Sequence, residues 1–152
     1  VDEASFERIG ERITRGLVQG DFDCYRSAFH LPLRVEPRKG DPYELADDTA
    51  LRDDWQLYRD AIVIQGVTDI VREVLLIVDL EPDWIEVTVK TNMLKHAQRV
   101  VDPFKTQFVL RPVDGDWRIS VIRSSLGHIN WTLGRARIED DRFRDRRAPE
   151  KD

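Results

Sequence analysis

A single cysteine, a single methionine and three histidines leave this 152-residue chain little from which to build a redox or metal centre. Cys24 has no second thiol to pair with, which fits a reducing compartment, so a cytoplasmic location is expected. His30, His96 and His128 are scattered, with none paired at i, i+4, and there is no CxxC, so no metal site is expected. No GxGxxG or GxxxxGK[ST] loop is present to cradle a phosphate, and no GxSxG elbow accompanies the serines. No cofactor is therefore expected. Apolar runs all fall well short of the roughly 20 residues that span a bilayer. Basic residues do not interleave with aromatics, and the net charge of −5 opposes non-specific contact with nucleic acid or an anionic membrane. Neither partner is expected.

What the chain does have is four tryptophans and six phenylalanines among 35% charged side chains, enough for one sizeable core. A single domain is expected over residues 1–138, closing with a short docking segment carried by Ile129, Trp131 and Leu133. Residues 139–152 are almost all charged, with mixed signs, and are expected to be a solvated tail.

The clearest pattern lies in residues 104–122. Phe104, Phe108 and Leu110 alternate with Lys105, Gln107 and Arg111; after Asp114-Gly115, Trp117, Ile119 and Val121 alternate with Arg118 and Ser120. Period two predicts two strands, and Asp-Gly predicts the hairpin turn, because both types tolerate positive φ. Phe6, Ile9, Ile13 and Leu17 predict an amphipathic helix over residues 4–18. Gly20 stops it, and Asp21 caps a second, short helix expected over residues 22–29. Pro32 pushes Leu31 out of helical geometry, so short strands are expected at residues 33–36 and 43–45. Asp47-Asp48 opens a third helix whose stripe is Leu51, Trp55, Tyr58 and Ile62, closed by Gly66. Residues 71–80 carry apolar groups on both faces, which predicts a central or doubly covered strand. Residues 85–91 give a further strand. One long strand bent at Asp102-Pro103 is expected over residues 98–110.

This order of elements resembles the nuclear transport factor 2-like superfamily, which includes SnoaL-like polyketide cyclases and ketosteroid isomerases. The resemblance is carried by Gly20-Asp21-Phe22, Phe29-His30-Leu31-Pro32, the run from Arg99 to Phe104, and Asp116-Trp117-Arg118-Ile119, and it covers about residues 5–122. It implies an α+β fold in which three N-terminal helices pack on a strongly curved, mainly antiparallel sheet, a cystatin-like cone. It also implies a pocket for a small, largely apolar ligand and a homodimer formed through the sheet. A ketosteroid-isomerase-like site would match Glu36-Pro37 as the base, but Ile13 stands where a phenolic donor belongs. Thr106 or Lys105 stands where an acidic donor belongs. Two of the three parts are missing.

The resemblance implies a small-molecule pocket protein, a SnoaL-like proton-transfer enzyme acting on an apolar cyclic or polyketide-like compound. The alternative is a non-enzymatic ligand-binding or dimeric interaction module. For the enzyme, His30 or Glu36 is the candidate base. Tyr58 or Thr106 is the candidate donor, and Tyr25, Phe29, Trp55 and Phe108 are candidate lining. Each has a plainer alternative. His30 can be a hydrogen-bonded helix-end histidine, Glu36 a solvated strand-edge carboxylate, and the tyrosines and Trp55 core residues with satisfied polar tips. His96 is expected at an exposed hairpin tip, and Cys24 as a buried small apolar residue. Asp53 and Asp54 face different sides of the third helix and form no carboxylate dyad.

Overall fold

The computed structural model describes residues 3–37, 41–124, 136–139 and 142–145. Helix α1 (Glu3–Val18) buries Phe6, Ile9, Ile13 and Leu17 along one face. Gly20 takes φ 77°, and the Asp21 carboxylate accepts the Cys24 N–H at 3.1 Å to start α2 (Phe22–Arg26). Gly16 allows the two helices to touch, since a Cβ there would overlap that of Tyr25. Cys24 is half-buried, not enclosed as expected, because α2 is a single short turn whose apolar contacts are made by Phe22 and Tyr25.

Helix α2 ends three residues before the expected limit. Phe29 instead opens β1 (Phe29–Pro37), opposite Ile119, and the Ala28 carbonyl accepts the Ile119 N–H at 2.9 Å. Pairing with a distant strand outcompetes one more helical turn. Strand β1 also pairs with β2 (Tyr43–Leu45), placing Leu33 against Leu45 and Val35 against Tyr43. Helix α3 (Asp48–Gln65) begins with the Asp47 carboxylate accepting the Ala50 N–H at 2.9 Å and ends at Gly66, φ 69°.

The remaining strands of the main sheet are β3 (Asp69–Leu80), β4 (Trp84–Lys95), β5 (Gln98–Arg99), β6 (Phe104–Val113) and β7 (Asp116–Ser124). Their order is β2-β1-β7-β6-β4-β3, with β5 on β4; β1 and β7 are parallel and the other neighbours antiparallel. Bulges at Leu75 and Ser120 interrupt the register and bend the sheet around the helices. The expected 98–110 strand is broken into β5 and β6 by bends over residues 100–103, where Pro103 cannot donate to a ladder.

Two face assignments differ from expectation. Strand β3 is an edge strand, not a central one: Ile70, Val74 and Ile77 pack inward, while Val71, Leu76 and Val78 are exposed on the other face. The Ser120 bulge shifts the phase of β7, so Ile122, not Val121, follows Ile119 onto the inner face. Strands β8 (Ala136–Glu139) and β9 (Arg142–Asp145) form a separate two-stranded sheet, partly within the stretch expected as a tail. The expected docking segment, residues 129–133, lies outside the described residues, as does His128.

Candidate functional site

The inner face of the curved sheet and the three helices enclose a cavity of about 130 Å³. Its wall is mostly apolar, with Ile13 and Leu17 from α1, Phe29 and Val35 from β1, Met93 from β4, and Phe104, Phe108 and Ile122 from β6 and β7. Tyr25, Asp54, Tyr58, Arg72, Thr91 and Thr106 bring polar atoms to the same wall. An apolar wall with a few convergent polar groups is the usual make-up of a small-molecule site.

Asp54 is the most unusual of these groups. Its side chain is 3% exposed, and its Oδ1 is enclosed without a hydrogen-bond partner. Burial raises its pKa from 3.8 to about 8, so the carboxyl is largely protonated at neutral pH. Tyr25 and Tyr58 are also pushed well above the ordinary phenol range, first by burial and then by the Asp54 charge. The Tyr58 hydroxyl interacts with that of Tyr43, which burial raises as well. Arg72 donates to the Gly10 carbonyl at 3.0 Å and the Thr14 hydroxyl at 2.7 Å, tying β3 to α1. Burial lowers its pKa to about 10, which leaves it cationic at neutral pH.

Six of the eight side chains singled out in the sequence border this cavity: Tyr25, Phe29, Glu36, Tyr58, Thr106 and Phe108. Glu36 does so only at its rim, because its carboxylate turns outward. It meets Arg123 at 3.2 Å and Arg34 at 3.3 Å, and Arg123 also binds Glu86 at 2.9 Å. Glu86 lies on the face of β4 opposite the buried Ile85, Val87 and Val89. His30 also projects from the outer face, at the far end of β1, so six residues of strand, roughly 20 Å, separate the two proposed bases. Trp55 is outside the cavity. Its indole N–H donates to the Gly16 carbonyl at 3.0 Å, and its ring packs edge-on to Phe22 at 5.2 Å. Of the ketosteroid-isomerase positions, Ile13 and Thr106 line the wall, while Lys105 points to solvent.

A larger, shallower groove of about 500 Å³ runs between α1 and the edge strand β3. It is bordered by Glu7, Glu11, Arg15 and Asp69, all of them exposed. The cone cavity is the better candidate.

Helices over a curved sheet of this order also occur in solved structures of low sequence identity. A domain of unknown function with a cystatin-like fold from Nostoc punctiforme aligns with a TM-score of 0.58 at 12% identity, over 82% of this chain and 78% of that one. A nuclear transport factor 2-like protein of unknown function from Shewanella oneidensis aligns with a TM-score of 0.58 at 11% identity, over 80% and 96%. The chain has the nuclear transport factor 2-like fold. A de novo designed protein with a curved β-sheet also aligns, with a TM-score of 0.51 at 15% identity, over 80% and 96%. No protein-family model and no curated protein matches the sequence. Among the described residues, no helix is long and apolar enough to cross a membrane.

Within this nuclear transport factor 2-like cone, sequence reasoning missed Asp54. The signal was there: Asp54 lies three residues after Leu51 and four before Tyr58, on the same buried stripe of α3. A carboxylate on an apolar stripe is costly to bury, and such groups concentrate at functional sites. Asp53, its neighbour, is exposed, so the two do face different sides.

Proposed function

We propose that the cone cavity binds a small, largely apolar molecule and that the protein transfers a proton on it, with Asp54 as the acid–base group. The observation that carries this is the buried Asp54 carboxyl, with a free oxygen at a mostly apolar wall and a pKa near 8. A carboxyl poised near the working pH is suited to both halves of a proton transfer: its ionised form takes the proton from the carbon alpha to a carbonyl, and the acid so formed returns a proton to that carbon. Tyr25 and Tyr58, neutral at that pH, supply further hydroxyls at the same wall. Asp54 thus takes the place that sequence reasoning assigned to His30 or Glu36.

The volume limits the ligand. A dry protein cavity of about 150 Å³ admits benzene, so about 130 Å³ suits a one-ring compound. A polyketide-like compound with fused rings would need the wall to open. The free thiol of Cys24 supports a reducing location such as the cytoplasm.

The test is deuterium exchange alpha to the carbonyl of cyclohexanone and 2-cyclohexenone in D2O at pH 7. The wild-type protein should accelerate exchange, and Asp54→Asn should abolish the acceleration. Exchange no faster than buffer for both ketones, or unchanged in Asp54→Asn, would reject proton transfer by Asp54.

A second reading, a dimeric interaction module, is favoured by one observation. Val71, Leu76 and Val78 form an exposed apolar row on the outer face of β3, with Leu76 56% exposed. A second copy packing there would cover it.

A further inference from the structure

The outer face of the sheet carries a group of cations that the cavity does not use. Register places Arg111 of β6 directly opposite Arg118 of β7. Facing like charges weaken a strand pair. Among the described residues, neither Arg111 nor Arg118 has a carboxylate within 4.0 Å, which is also true of Arg8, Arg52, Arg59, Arg72 and Arg99; these two alone of that group face each other across a strand pair. The Nε atoms of both are enclosed and lack a hydrogen-bond partner. The Arg111 guanidinium lies over the Trp84 ring, 4.9 Å from its centroid, which holds it against the sheet.

His30 completes the group. It sits on β1, the neighbour of β7, and projects to the outer face because Phe29 before it is buried. Its imidazole is pushed down by burial and then by the charges of Arg111, Arg118 and Arg26, with the Pro32 carbonyl opposing. Arg26 itself is paired with Asp48 and donates to the Phe29 carbonyl. Two guanidinium groups with no carboxylate partner among the described residues and a neighbouring imidazole therefore share one patch, on the opposite side of the sheet from the cavity.

We propose that Arg111, Arg118 and His30 form an oxyanion site that takes one phosphate group. Guanidinium forks match phosphate oxygens bidentately, and a dianion balances two arginines. The chain as a whole carries a net charge of −5, which opposes a polyanion, while two neighbouring guanidinium groups attract a compact anion locally.

The test is titration of the full chain with sodium phosphate at constant ionic strength, followed by the NMR signals of the arginine Nε–H groups and the His30 ring. Saturable shifts of Arg111 and Arg118 are expected at a phosphate concentration on the order of 1 mM, together with a rise in the His30 pKa as the bound anion offsets the arginines. Arg111→Gln and Arg118→Gln should each weaken binding about tenfold or more. Arg118→Gln should melt no lower than wild type without phosphate, because repulsion is relieved, whereas Arg111→Gln also loses the Trp84 contact. If either folds poorly, the wild-type titration decides alone. Shifts that grow linearly without saturating, or equal binding by the doubly substituted protein, would overturn the site. Sodium acetate binding as tightly as phosphate would overturn its assignment to phosphate. Phenyl phosphate binding more tightly than inorganic phosphate supports a phosphorylated small molecule as the ligand; equal binding supports free phosphate.

Discussion

Replacing Asp54 by asparagine should make the protein more stable at neutral pH and leave it nearly unchanged near pH 4. The native carboxyl holds its proton to about pH 8, whereas in the unfolded chain it loses the proton near 3.8. Between those values the native state binds one proton more than the unfolded state, so stability falls as pH rises, by about 1.4 kcal/mol per pH unit. At pH 7 the wild-type carboxyl therefore costs the fold about 4 kcal/mol relative to pH 4. Above pH 8 both states are ionised and the cost levels off. Asparagine has nearly the same shape, is neutral throughout and escapes this cost. Urea unfolding of both proteins at one-unit steps from pH 4 to 8 gives the difference in stability, in which the titration of all other groups cancels to first order. The expected difference grows toward pH 8 in favour of the variant. A difference that stays flat across the range would refute the reasoning, because it would mean that Asp54 ionises in the native protein as it does in water. A gain in stability with a loss of exchange activity would be the trade expected of a strained functional group.

Gly16→Ala should lower stability by about 1–3 kcal/mol or more in urea unfolding, since the added methyl meets the Tyr25 Cβ and lies 3.0 Å from the Asp21 carbonyl; a neutral result would show that α1 and α2 separate easily. Tyr58→Phe should cost about 1–3 kcal/mol, because it strips the buried Tyr43 hydroxyl of its neighbour. Adding Tyr43→Phe should then cost less than the sum of the single effects, and strict additivity would count against the contact. Leu76→Glu should leave the melting temperature nearly unchanged, since Leu76 is exposed, but should shift a dimer to monomer in sedimentation velocity. Wild-type protein that sediments only as monomer at high concentration would remove the sheet-face dimer.

Much of the architecture was legible in the residues themselves. The α1 stripe, the Asp21 and Asp47 caps, the Gly66 stop and the Asp114-Gly115 hairpin are local events, settled by side-chain spacing and by which residues tolerate positive φ. Asp114 and Gly115 do take φ 50° and 80°. The resemblance carried by the corner and strand motifs led to the right fold, and with it to part of the cavity wall. What tertiary structure alone decided is where local signals compete with distant partners. Phe29 left its helix because Ile119 offered a strand, and β3 lies at the edge because, among the described strands, it pairs with β4 alone. The bulge at Ser120 reversed the faces of β7 by one residue, which alternation cannot foresee. The chemistry followed the same division. That Tyr25, Phe29, Tyr58, Thr106 and Phe108 share a cavity follows from their faces on elements the sequence predicts. That His30 and Glu36 turn away from it, and that Asp54 is buried with an unpaired oxygen, depends on which groups the fold brings beside them. A side chain's type and spacing are local, but its desolvation and its partners exist only once the sheet has curved around the helices.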